Sequence, residues 1–318
     1  MYDLTRDLPT PSLDTLLGRG CLVRHDNGAN RWLSKAFGLR IEPPFAPLRR
    51  MGLTGETSSQ RFLCVDPVNF SFVDRNVTVS EPDKLQLTTI EANALGEALG
   101  PVFQVFGELE ITAPASWHLK MHDTAPALPA LMPLPDFIGR RADQGLPADP
   151  QWRHLINEAQ ILLHNHPVNH AREERGLPRI NSIWPWGGGN LVTGTKTVHD
   201  AVFGQSPVLH GLSRLCGLNV LTPPGVWEPL PHRSPLVVLD QLAPWRNRGN
   251  GLSWRDAVAA IETNWFAPLL SALRRGTLGN LTLILPGSDR DSGARLEVSR
   301  SSILKIWRRP APLTLLAA

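Results

Sequence analysis

Trp152-Arg153-His154-Leu155-Ile156-Asn157-Glu158-Ala159-Gln160-Ile161-Leu162-Leu163-His164 leads, after a short polar stretch, into Ile180-Asn181-Ser182-Ile183-Trp184-Pro185-Trp186-Gly187-Gly188-Gly189-Asn190. In the first run Trp152, Leu155, Ile156, Ala159, Leu162 and Leu163 recur at offsets of three and four, which predicts a helix with one apolar face, ended by Pro167. The second run opens as a strand from Ile180 to Trp184 and closes on three glycines. The same alternation continues downstream. Pro207 to Cys216 reads as a helix, Leu218 to Leu221 and Leu236 to Asp240 as strands, Ser253 to Arg275 as a long helix kinked at Pro268, and Leu281 to Leu285 as a strand. Short continuous apolar strands separated by helices predict an α/β fold, a mainly parallel sheet covered by helices. Arg295 to Trp307 reads as an edge hairpin.

Upstream the texture differs. Leu13, Leu16 and Leu17 form a short helical pattern stopped by Gly18 and Gly20, Trp32 to Phe37 carries a second, and Pro43, Pro44 and Pro47 force extended chain. Phe70 to Val73 and Val77 to Val79 alternate around Asp74-Arg75-Asn76, the pattern of a hairpin. Ile90, Ala94, Leu95 and Leu99 predict a helix with Pro101 just beyond its end, and a strand pair spans Gly107 to Met121. Residues 123–150 are rich in proline and alanine and have no sustained period. The expected division is therefore an N-terminal helical segment and small α+β unit over 1–122, a connection over 123–150, and an α/β part over 151–318.

A chain of 318 residues that is 42% hydrophobic buries a sizeable core, which excludes a disordered tail. No stretch approaches the roughly 20 apolar residues of a membrane span. Met1 to Thr10 has neither the basic nor the apolar region of a secretion signal, so a cytosolic protein without membrane association is expected. The three cysteines are far apart and odd in number, which fits a reducing compartment and offers no paired zinc spacing. A net charge of +3 comes from scattered arginines with no basic run, which argues against nucleic acid as the partner.

The densest polar cluster runs from His164 to Arg175 and into the tryptophan–glycine segment. Ligands of doubly wound sheets bind beyond the carboxyl ends of strands, where Gly187, Gly188 and Gly189 would admit a ligand close to backbone amides. The plainer alternative is a glycine turn between two packed tryptophans, Trp184 and Trp186. His164, His166 and His170 invite a metal, but Pro167 breaks their register and no acidic residue stands at a metalloprotease offset, so no metal or other cofactor is assigned. Asn157, Gln160 and His164 share the polar face of the first helix, a cleft wall if buried and a solvated face otherwise; His164 or His166 is the candidate acid or base. Arg172, Arg175 and Arg179 can bind an anion, although Glu173 and Glu174 can pair with them; Asn169 and Asn181 belong to the same cluster. No Gly-x-Ser-x-Gly elbow is present.

At Asn181 to Gly189 the chain resembles the archaeal-type cofactor-independent phosphoglycerate mutases, which carry a similar Trp-x-Trp-Gly-x-Gly segment after a strand and belong to the alkaline-phosphatase-like superfamily. Asp66-Pro67-Val68, Asn157 to Gln160, His164 to Asn169, Arg172-Glu173 and the tryptophan–glycine segment also resemble a bacterial family described as phosphoglycerate mutase-like or as pathogenicity-factor regulators of the RpfE type. The resemblance implies an alkaline-phosphatase-like core. In the mutases it also implies two divalent metals, held by an Asp-Gly near the N-terminus, an Asp-x-x-Gly-His-like segment and a late Asp-His pair, with a serine that becomes phosphorylated. This chain departs from that pattern: it has Leu285-Pro286-Gly287-Ser288-Asp289 where the late pair would fall and Leu239-Asp240-Gln241-Leu242-Ala243-Pro244-Trp245 in place of the middle motif. Without those ligands the clamp on the attacking and leaving oxygens is lost. The expectation is a degenerate relative that binds a small anionic ligand or a protein partner in a regulatory role. Its site would draw on Asn157, Gln160, Asn169, Arg172, Asn181, Trp184, Trp186 and Gly187 to Gly189. The alternative is an enzyme with relocated catalytic residues, a phosphoglycerate mutase or another phosphoryl-transfer or hydrolytic activity on a small anionic metabolite. The oligomeric state stays open.

Overall fold

A computed structural model describes residues 7–25, 29–39, 44–73, 76–80, 82–129, 132–138, 147–240, 242, 251–285 and 293–313. In chain order these form α1 (Pro11–Arg19), β1 (Cys21–His25), α2 (Ala29–Ala36), α3 (Phe45–Thr54), β2 (Arg61–Val68), β3 (Phe70–Val73), β4 (Asn76–Val79) and α4 (Pro82–Leu85). There follow α5 (Thr89–Phe103), β5 (Gly107–Ala113), β6 (Ser116–Met121), α6 (Leu134–Phe137), α7 (Pro150–His164), α8 (Pro167–Glu174) and β7 (Ser182–Asn190). Next come β8 (Ala201–Phe203), α9 (Pro207–Leu215), β9 (Val220–Leu221), β10 (Pro235–Val237) and α10 (Gly251–Ile261). A π-helical turn (Glu262–Phe266), α11 (Ala267–Arg275), β11 (Asn280–Leu285), β12 (Gly293–Ser299) and α12 (Arg300–Ile303) complete the series. Packing separates two compact units, one of Met1–Glu42, Lys196–Gln205 and Leu218–Ala318, the other of Pro43–Thr195 and Ser206–Gly217. This partition cuts the chain elsewhere than at 122 and 150, because α7 packs on α5 and β7 pairs with β2.

The unit built on residues 43–195 centres on a four-stranded sheet in the order β5-β6-β2-β7, with every neighbouring pair antiparallel. Alternate residues of β2 serve two cores. Leu63 and Val65 join Leu95, Leu99, Trp117, Trp152 and Ile183 on the side of α5 and α7. Phe62, Cys64 and Val68 join Ala46, Phe137, Trp184 and Trp186 on the side of α3. The mainly parallel sheet expected from the sequence is thus corrected. A sheet with both faces covered gives unbroken apolar strands whether its neighbours run parallel or antiparallel, and the run alone does not carry direction. A parallel arrangement survives in the other unit, as three very short strands in the order β10-β8-β9.

Local signals account for the helices. Asp149 caps α7 by accepting from Gln151 N at 2.7 Å, with Pro150 opening the first turn. Thr88 and Glu91 form a capping box at the start of α5, which runs to Phe103, so Pro101, expected just beyond its end, lies within its last turn. α3 and α9 approach so closely that a Cβ at Gly52 would lie 1.8 Å from Pro207 O, and one at Gly211 would lie 2.2 Å from Leu48 O.

In the other unit β12 pairs antiparallel with both β1 and β11. Leu296 and Val298 face a core with Leu13, Leu16, Trp265, Leu269 and Leu273. The edge hairpin expected at Arg295 to Trp307 is corrected: β12 is central, and a capping box of Ser299 and Ser302 turns the chain into α12. The long helix expected to kink at Pro268 carries a π turn just ahead of that residue. Proline has no N–H and its ring would crowd the carbonyl four residues back, that of Asn264, which instead accepts from Trp227 N at 2.7 Å. The turn also carries the buried Glu262, whose carboxylate accepts from Ser12 N at 2.7 Å and Leu13 N at 3.1 Å, capping α1 from afar.

Candidate functional site

β2 places Asp66 within an apolar run, on the side of the sheet that α3 covers. A buried carboxylate requires partners. Arg49 of α3 supplies two, Nη1 donating to Asp66 Oδ2 and Nη2 to Oδ1, each at 2.7 Å. Trp186 Nε1 donates to Oδ2 at 2.7 Å and Trp117 N to Oδ1 at 3.2 Å, so each oxygen accepts two bonds. Arg49 Nε donates to His118 Nε2 at 3.1 Å and Nη2 to Trp117 O at 3.1 Å. Because Nε2 accepts, the His118 proton belongs on Nδ1, from which it donates to Thr112 Oγ1 at 2.8 Å; that hydroxyl donates to Ser116 O at 2.6 Å. The guanidinium of Arg49 also lies over the Trp186 ring, 5.4 Å from its centroid.

The charges in this cluster are fixed by their surroundings. Burial opposes the charge on Arg49, but the Asp66 carboxylate beside it more than reverses this and holds the guanidinium ionised. Burial pushes the Cys64 thiol far up, against the pull of Arg49, so it stays protonated. Burial, then Arg49 and Arg50, push His118 well below the usual histidine range. Folded His118 therefore stays neutral, while the unfolded chain takes up that proton below about pH 6.5. On acidification from about pH 7 to about pH 5, this one group removes up to about 1.4 kcal/mol of stability per pH unit, until its folded-state titration is reached. His118→Gln is expected to flatten that decline in urea denaturation; equal pH slopes in the two proteins would rule out His118 as its source.

The residues singled out in the sequence occupy three kinds of place. Asn157 and His164 are exposed on α7, and the His164 carbonyl accepts from Arg179. Gln160 Nε2 donates to Ser182 Oγ at 3.1 Å. His166 caps α8, its Nδ1 accepting from Val168 N at 3.2 Å, and burial lowers its pKa. Others are internal ties. Asn169 is fully buried, donating to Leu163 O and Ile180 O at 2.7 Å each and accepting from Ile180 N at 2.8 Å. Arg172 is fully buried, donating to Glu91 at 3.0 Å, to Pro178 O at 2.9 Å and to Leu85 O. Asn181 brackets Phe70, accepting from its N at 2.7 Å and donating to its O at 2.9 Å. Trp184 donates to Met132 O at 3.0 Å and stacks on Phe137 at 4.2 Å.

The glycines lie within β7 itself, which corrects their expected place in a turn after the strand. A Cβ at Gly187 would lie 2.8 Å from Phe45 Cβ, at Gly188 2.5 Å from Leu128 Cδ2, and at Gly189 2.9 Å from Pro44 Cβ; Gly187 also has φ +63°. Neighbouring side chains therefore leave no room for a Cβ at these three positions. Sequence reasoning singled out Asp66 only through the resemblance and missed Arg49 and His118. Their signal is a charged or polar residue placed among apolar positions of an otherwise buried strand or helix face. An open groove of about 790 Å3 lies along α5 and β5, lined in part by Asn93, Glu97, Gln104, Glu108 and His122, and contains none of the candidates. Among the described residues, no three His, Cys, Asp or Glu side chains gather as a metal site, and no helix is long and apolar enough to cross a membrane.

No family model matches the chain. A stretch of 94 residues is 31% identical to the 2,3-bisphosphoglycerate-independent phosphoglycerate mutase of Methanosarcina barkeri, covering 27% of this chain and 24% of that enzyme. The match thus spans about a quarter of the length of the curated relative. Among solved structures, a protein of Pyrococcus horikoshii aligns over 93% of this chain and 81% of its own, with a TM-score of 0.51 and 14% identity, a likeness of fold alone. The cofactor-independent phosphoglycerate mutase of Thermoplasma acidophilum aligns over 99% of this chain and 89% of its own, with a TM-score of 0.46 and 17% identity. The chain is therefore a mixed α/β protein distantly similar to cofactor-independent phosphoglycerate mutase.

Proposed function

We propose that this protein is a degenerate relative of the cofactor-independent phosphoglycerate mutases that acts by binding, in a regulatory role, and does not interconvert phosphoglycerates. The observation that carries the reading is the fate of the polar residues. The mutase chemistry that the similarity implies needs two divalent ions at the reacting oxygens. Among the described residues no group of three ligand-type side chains converges, and the cluster at Asp66 does not fit a metal. Both Asp66 oxygens are filled, both His118 nitrogens are engaged, and Cys64 is held as the thiol. In the two segments where superfamily motifs would fall, Gln241, Ala243 to Trp245 and Pro286 to Asp289 lie outside the described residues. With Arg172 committed to Glu91 and to backbone carbonyls, a small anionic ligand or protein partner would meet Asn157 and His164 on the open face of α7. The test is metal analysis of the purified protein together with a coupled assay for interconversion of 2- and 3-phosphoglycerate with manganese added. Neither stoichiometric metal nor turnover is expected. About two bound ions per chain with turnover would replace the reading by an enzyme with relocated ligands.

A further inference from the structure

The segment that follows α12 combines a held backbone with large apolar side chains turned to solvent. Its turns are closed by Leu304 N to Arg300 O at 3.3 Å, Lys305 N to Ser302 O at 3.2 Å and Arg308 N to Lys305 O at 3.0 Å. α1 secures it from the other side. Arg19 Nη1 donates to Ile303 O at 2.7 Å, Ala311 N donates to Asp14 O at 2.9 Å, and a Cβ at Gly18 would lie 2.1 Å from Arg309 O. On this fixed backbone Leu304 is 55% exposed, Ile306 78% and Trp307 74%. Single apolar residues at a surface need no explanation, but three within four positions, one of them tryptophan, form a patch. Lys305, Arg308 and Arg309 stand among them, Arg300 is exposed at the start of α12, and none of these four has an ion-pair partner among the described residues.

We propose that residues 304–309 are a docking surface for a partner protein, which presents a carboxylate-rich segment around an apolar slot for Trp307. Tryptophan and arginine are the residue types that concentrate binding energy at protein interfaces, and guanidinium groups match carboxylates two bonds at a time. A second copy of this chain would set the same cations against each other. Leu304 and Ile306 have no part in base stacking, which sets the patch apart from a single-strand nucleic-acid platform. The inference extends the binding role proposed above to a partner of stated chemistry. It rests on a surface of the other unit, so the metal and turnover assay and the test below fail independently.

The test places a benzoylphenylalanine cross-linker at Ile306 of the full chain, expressed at its native level, with the same group at Val198, 84% exposed, as control. The Ile306 position is expected to cross-link one protein through a peptide rich in Asp and Glu. Combined Arg308→Glu and Arg309→Glu substitutions should lower the yield by about tenfold or more, since reversing the charge at two interface positions sets like charges together. Trp307→Ala should lose the same product while keeping the unfolding midpoint, which separates lost contact from lost fold. A yield no greater than at Val198, a product that survives charge reversal, or cross-links to nucleic acid, lipid or a second copy of the chain would each overturn the proposal.

Discussion

Replacing Asp66 by alanine is expected to lower the stability of the protein by about 3–5 kcal/mol in chemical denaturation, because it leaves Arg49 ionised, buried and without its counter-charge. The loss is more than one ion pair. Trp186 Nε1 and Trp117 N each lose an acceptor in a site closed to water, and unmade buried bonds cost about 1–3 kcal/mol each before the structure relaxes. Against a typical domain stability of about 5–15 kcal/mol, the variant stands close to unfolding under native conditions. A second variant decides the mechanism. Arg49→Met added to Asp66→Ala removes the orphaned cation, and part of the lost stability should return, since an apolar pair is tolerated where half an ion pair is not. An Asp66→Ala protein within about 1 kcal/mol of the parent would show that the pair is not the keystone its geometry indicates.

Arg172→Met is expected to cost about 3–5 kcal/mol for a related reason, and to do so in the absence of any ligand. The guanidinium joins α8 to α5 through Glu91, and to the Leu85 and Pro178 carbonyls, from a position with no exposed surface. Glu91 also closes the capping box of α5 and accepts from Arg175. Burial alone would raise the Glu91 pKa, but its bonds to Thr88 and to the two arginines hold it below the usual carboxylate range. Loss of Arg172 therefore loosens a helix start as well as a charge pair. Denaturant titration of the isolated variant gives the answer. An unchanged midpoint, accompanied by weaker binding of an anion such as inorganic phosphate, would restore Arg172 as a ligand residue.

These two arginines mark how far the sequence can be read. The α7 helix was legible because its periodicity and a following proline lie within one stretch of chain. The hairpin of β3 and β4 was legible for the same reason, although Asp74 and Arg75 at its turn lie outside the described residues. Strand direction was not, since β2 is covered on both faces and reads as continuously apolar whichever way its neighbours run. Nor was the role of Asp66, whose partners stand 17, 51 and 120 positions away. Gly187 to Gly189 look like a ligand loop in sequence, and only the positions of Phe45, Leu128 and Pro44 show what excludes a side chain there. Polar residues concentrated in sequence were spent on tying elements together, which is a demand of burial and leaves no local signature.

The pairing of β1 with β12 has a consequence for the chain as it leaves the ribosome. Cys21 is made long before its partner Glu297, and the buried Glu262 that caps α1 likewise follows α1 at a great distance along the chain. Everything the sheet of β5, β6, β2 and β7 needs is translated by Gly217. That sheet and its covering helices can close while synthesis continues, but β1 and α1 emerge before them and wait, apolar faces uncovered, until β12 has been made. The window between those two moments is when a nascent chain of this protein most needs a chaperone, and a translational stall within residues 218–296 would prolong it.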